Sequence, residues 1–129
     1  VMTHQKETAS AIKTDCLLSI INTTTFITSD VVGIDEGQFF GDLLEFVKLV
    51  EKSDKILIIS GLDGDSNREP FGHILNCIPL CDEVVKLTAM DMVDKDGTPA
   101  IFTKRIVNDS SQVLVGASDK YIAVSRKNY

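Results

Sequence analysis

Two adjacent carboxylates, Asp35 and Glu36, end the apolar run Val31–Ile34, and Gly37 follows at once. Acids in that place can do phosphoryl chemistry. An Asp at the carboxyl end of a strand can hold Mg²⁺ directly or through water, as the Walker-B acid of phosphate-loop enzymes does. A Glu beside it can take a proton from an attacking hydroxyl. The glycine lets the backbone approach a ligand closely. The same acids could equally cap the helix that follows, and the pattern alone leaves both readings open.

Other reactive residues give weaker signals. The sequence holds no G-x-x-x-x-G-K-[ST] phosphate loop and no G-x-S-x-G elbow. His4 and His73 stand alone, which favours surface or packing roles. Three cysteines, Cys16, Cys77 and Cys81, form neither a disulfide framework nor a Cys-x-x-Cys metal pair. Cys77 and Cys81 can share a helix face, where packing is the expected role. Asp63, Asp65 and Asn67 have calcium-loop spacing, but Arg68 and Ile74 stand where such a loop needs Gly and Glu. Asp94 and Asp96 fail likewise, because Met92 replaces the first acid.

The elements that must carry these residues read as α/β. Val31–Ile34 reads as a buried strand. Leu43, Leu44, Phe46, Val47 and Val50 fall at helical spacing, with Asp42, Glu45, Lys48 and Glu51 free for the opposite face. Lys55–Ser60 is β-branched and apolar, a central parallel strand. Strand, helix and strand make a βαβ unit, and ligands of such sheets bind at the carboxyl ends of the strands, where Asp35 and Glu36 lie. The turn after Ser60 is punctuated by glycines and Pro70, which could open a short helix through Asn76. Further strands are expected at Val84–Thr88, Thr103–Val107, Gln112–Gly116 and Tyr121–Arg126, with a polar loop at Asp91–Pro99. Residues 11–21 fit a short strand or helix, and 22–28 are ambiguous.

Bulk properties narrow the class. The 129 residues suit one domain of ordinary size, and 43% hydrophobic with 25% charged residues is typical of a globular protein. A net charge of −6 argues against non-specific nucleic-acid or anionic-membrane binding. No apolar run is long enough to span a bilayer and no basic-then-apolar leader opens the chain, so a reducing, cytoplasmic setting is expected.

Five stretches in order, GIDEGQFF, LDG with REPFG, ILNCIPLCDEVVKLTA, FTKR and GASDKY, resemble the type II thymidine kinases, cellular and poxvirus-like. The likeness covers nearly the whole chain and is strongest from Val31 to Arg126. It implies an α/β fold with a parallel sheet of the phosphate-loop kinase type and a small β-rich C-terminal lasso, divided as residues 1–88 and 89–129. It also implies transfer of the ATP γ-phosphoryl group to the thymidine 5′-hydroxyl, with ATP and Mg²⁺ as cofactors and a homotetramer as the assembly. By resemblance Glu36 is the catalytic base and Asp35 holds Mg²⁺ through water. Asp35, Glu36, Gly37 and Gln38 line the nucleotide site. Phe39, Leu62, Phe71 and Thr103 wall the nucleoside pocket, Tyr121 packs on the nucleoside, and the backbone of Gln112, Val113, Leu114, Val115 and Gly116 binds the thymine edge.

The chain departs from that family in three places. The family's N-terminal phosphate loop is absent and the chain begins at Val1 rather than Met, so a fragment of a longer enzyme is the expectation. Four zinc-binding cysteines are replaced by Asp91, Asp94, Ser125 and Asn128, so a metal-free lasso is expected. The Phe that stacks on thymine is Ser66 here, and Glu69 stands where a basic residue is common. The alternative is a diverged, inactive paralogue that binds nucleoside or acts as an oligomer scaffold.

Overall fold

A computed structural model describes residues 9–107 and 120–129. These divide into two compact units, Val1–Leu62 with Gly72–Cys81, and Asp63–Phe71 with Asp82–Tyr129. The fold is mixed α/β, with one small parallel sheet and two small antiparallel ones.

In the first unit, a 3-10 turn at Leu17–Ile20 leads into helix α1 (Thr24–Thr28), strand β1 (Val31–Ile34), a second 3-10 turn at Gly37–Phe39, helix α2 (Leu43–Val50), strand β2 (Ile56–Ile59) and a third 3-10 turn at Leu75–Leu80. The Thr23 hydroxyl caps α1 by accepting from the Phe26 N–H at 3.3 Å. Helix α2 forms where the periodicity predicts it. Leu43, Phe46, Val47 and Val50 are buried together with Leu17, Phe26, Ile34 and Cys77, and Phe26 meets Phe46 edge-on at 5.8 Å. Glu45 in the first turn and Lys48 in the last complement the helix dipole. Strands β1 and β2 pair in parallel from Val31 opposite Ile56 to Ile34 opposite Ile59, which completes the expected strand, helix, strand unit.

The burial of β1 and β2 differs from the expectation of fully buried strands. Val32, Ile34, Leu57 and Ile59 pack toward the core, but Val31, Ile56 and Ile58 on the other face are exposed, the last two by 60% and 59%. The run of apolar residues records strand propensity, whereas burial on both faces needs a second covering layer.

In the second unit, residues 63–71 form a closed loop. Gly64 bridges Pro70, and the buried Asp65 accepts from the N–H groups of Asn67 (2.8 Å) and Glu69 (3.0 Å). Strand β3 (Ala89–Met90) pairs with β4 (Pro99–Ala100), and β5 (Phe102–Arg105) with β6 (Tyr121–Val124), both antiparallel. Ala100 and Val124 are buried. The short strands predicted near 103 and 121 are thus present with trimmed ends.

Two expected elements are absent. Val84–Thr88 has no regular secondary structure and no ladder partner among the described residues, and Leu87 is 85% exposed. β-Branched composition gives an extended backbone, but a strand also needs a neighbour to bond. Pro70 sits in the bridge with Gly64 instead of opening a helix, and the 3-10 turn begins at Leu75. Residues 112–116 lie outside the described residues. No helix among those described is long and apolar enough to cross a membrane.

Candidate functional site

The register of β1 and β2 decides which groups surround the acids. Ile34 is level with Ile59, so Asp35 and Ser60 leave the two parallel strands side by side. The Ser60 hydroxyl donates to Asp35 Oδ1 at 2.9 Å, and the Glu36 N–H donates to the same oxygen at 3.1 Å. The Gly37 N–H closes the turn onto the Ser60 carbonyl at 2.8 Å. A β-carbon at Gly37 would meet Ile59 Cγ2 at 2.8 Å, closer than real contacts allow, so the turn needs glycine there.

Glu36 adopts the left-handed conformation, φ 55° and ψ 43°. A non-glycine residue held there is strained, and such strain concentrates at functional sites. Neither acid caps the turn that follows with its side chain. Glu36 Oε2 instead accepts from Gln38 Nε2 at 2.6 Å, and Gln38 Oε1 accepts from the Leu62 N–H at 3.0 Å. Gln38 is only 4% exposed. Two glycines make room for it. A β-carbon at Gly61 would strike Gln38 Oε1, and one at Gly72 (φ 58°) would strike the Gln38 carbonyl oxygen. Asp35 and Glu36 themselves are exposed.

The first unit therefore brings Asp35, Glu36, Gly37 and Gln38 together at the carboxyl ends of a parallel strand pair. Gln38 lies beneath the acids and orients Glu36. Ser60, Gly61 and Gly72 are additional members that the sequence reading did not name. Ser60 could have been found by counting from the strand pair, since the last residue of KILIIS falls opposite Asp35 in a parallel register. Gly61 and Gly72 left only the general turn signal of glycine. Phe39 and Leu62 are exposed apolar residues of this unit. An open groove of about 370 Å³ lined by Gly41, Asp42, Leu44, Glu45, Lys48 and His73 contains neither acid.

The remaining nucleoside candidates belong to the second unit. Phe71 and Thr103 are half-buried. Tyr121 is half-buried on β6, its hydroxyl accepts from Arg105 Nη2 at 3.0 Å, and the Arg105 guanidinium lies 5.3 Å from its ring centre. The Ser66 carbonyl accepts from the Tyr129 hydroxyl at 2.8 Å. Among the described residues no group of three or more His, Cys, Asp or Glu is gathered as a metal cluster.

The thymidine kinase family model matches residues 1–129. The chain is 44% identical to the thymidine kinase of raccoon poxvirus over 127 residues, covering 98% of this chain and 70% of that protein. It is 41% identical to the thymidine kinase of Yaba monkey tumor virus over 129 residues, covering 100% of this chain and 69% of that protein. The vaccinia virus (strain Ankara) thymidine kinase is 41% identical over 127 residues, 98% of this chain and 70% of the viral protein. With this coverage and identity, the chain belongs to the thymidine kinase family.

Proposed function

We propose that this chain carries the acid end of a thymidine kinase site, which transfers the ATP γ-phosphoryl group to the thymidine 5′-hydroxyl on a fold of the phosphate-loop kinase type. One observation carries the assignment. Asp35 and Glu36 emerge together at the carboxyl ends of a parallel pair, and each is held by a partner, Ser60 for one and Gln38 for the other. Glu36 is the general base. Gln38 engages Oε2, which leaves Oε1 to accept the proton of the attacking hydroxyl. The left-handed backbone at Glu36 fixes the direction of that carboxylate before substrate arrives.

The donor set at Asp35 suits Mg²⁺. Its carboxylate and the Ser60 hydroxyl beside it are hard oxygen groups that would hold the ion directly or through water. When bound, the metal would neutralise charge on the transferring phosphoryl group. The fit to ATP is partial, because the sequence supplies no backbone cradle for its phosphates. The resemblance assigns nucleoside contacts to Phe39 and Leu62 in the first unit, and to Ser66, Phe71, Thr103 and Tyr121 in the second. Residues 112–116 are assigned to the thymine edge, and the assembly to a homotetramer.

Three outcomes test the assignment. The purified 129-residue chain is expected to show negligible thymidine-dependent ATP turnover. Calorimetry should detect saturable thymidine binding; no heat together with no thermal shift would leave only the scaffold reading. In the protein encoded by the full parent reading frame, Glu36→Gln should lower kcat by about 10²- to 10⁴-fold with KM for thymidine little changed. Turnover within threefold of the parent would remove Glu36 from the role of base.

A further inference from the structure

The four residues at the family's zinc positions, Asp91, Asp94, Ser125 and Asn128, all lie in the second unit. Their polarity does not fit a cation. Asp91 is 1% exposed, and donors surround it on both oxygens. Oδ1 accepts from the backbone N–H groups of Val93 at 2.7 Å and Asp94 at 3.0 Å. Oδ2 accepts from the Ser125 backbone N–H at 2.5 Å and from Asn128 Nδ2 at 3.1 Å. Three of the four donors are main-chain amides, whose direction the chain fixes. With both Asp91 oxygens already engaged, and a hydroxyl and an amide at Ser125 and Asn128, the set lacks the thiolate or imidazole lone pairs that a structural zinc site gathers.

We propose that the Asp91 carboxylate is itself the staple of this unit, an anionic hub with N–H groups turned inward where the family places a cationic hub with ligands turned inward. The hub joins segments 34 residues apart, Asp91 to Ser125. Secondary bonds extend it. Asn128 Nδ2 also reaches Asp94 Oδ2 at 2.9 Å, where Lys127 Nζ donates at 3.3 Å. The Met92 N–H bonds the Ala123 carbonyl at 3.0 Å, and the Asn128 and Tyr129 N–H groups bond the Ser125 carbonyl at 3.2 and 3.1 Å. A buried carboxylate is tolerable only when its lone pairs are met, and here both oxygens are met twice.

The reading is independent of catalysis, and its test is metal content and stability of the full chain. The protein purified in zinc-containing medium should carry well under one zinc per chain, and EDTA should not move its Tm. Asp91→Asn, which replaces one acceptor oxygen with a donor, should lower Tm by roughly 5 °C or more. Amide exchange on the unmodified protein gives a reading that no failed variant can spoil: the Ser125 N–H should be as protected as the amides of β6. One zinc per chain with a Tm that EDTA lowers would overturn the proposal. So would a Tm unchanged by Asp91→Asn, or a Ser125 amide that exchanges like exposed chain.

Discussion

At the scale of single residues, the acids are supported mostly by atoms that carry no chemistry. Gln38 transmits position from the Leu62 backbone to Glu36, and Gly72 gives it the space to do so. Gly72→Ala combines a positive φ with a β-carbon driven into the Gln38 carbonyl. It should destabilise the protein by about 2 kcal/mol, read by urea unfolding, and lower turnover in the full reading frame by loosening Gln38. The acids themselves were legible because an apolar run ending in Asp-Glu-Gly is unusual chemistry for a strand end. Their partners were not, because the bond from Ser60 to Asp35 depends on a parallel register that local sequence does not print.

At the scale of elements, hydrophobic periodicity located α2 and turn chemistry misplaced its neighbours. Phe46 is fully buried and packs edge-on against Phe26, so Phe46→Ala should cost about 3–5 kcal/mol in urea unfolding. Thr23→Ala, which removes the hydroxyl cap from the short α1, should cost only about 1 kcal/mol. The contrast tests whether helix stability here comes from packing more than from local capping. VVKLT has the composition of a strand and lies exposed, since strand identity depends on a partner that composition cannot specify. Pro70 likewise has φ suited to a helix start, yet the closed loop around Asp65 claims it first.

At the scale of the molecule, the acidic balance of −6 leaves acid stability to the carboxylates held in place. Hydrogen bonding from Ser125, with the Asp94 N–H and the Asn128 amide, holds the Asp91 carboxyl well below the usual carboxylate range, against the opposing effect of burial. Lys86, paired with Asp63, lowers that carboxyl too, though the pair is exposed and adds little. A group with a depressed folded pKa contributes fully above its unfolded pKa, about 3.9 for Asp, and loses that contribution as pH falls toward the folded value. Thermal stability should therefore hold from pH 7 to about 5 and decline below about pH 4, and Asp91→Asn should flatten that decline. The resemblance made the zinc positions legible from sequence, but not the hydrogen bonds that converge on Asp91. Those depended on which way main-chain amides point, which side-chain identity does not reveal.

The left-handed backbone at Glu36 has a consequence for how this protein can change. Glycine would occupy φ 55° without strain, so in Glu36→Gly the relieved backbone should offset the lost partner of Gln38, leaving the urea midpoint near that of the parent. The same substitution deletes the proposed base. A screen of variants by stability alone would thus tolerate glycine at this position and retain chains without the proposed base.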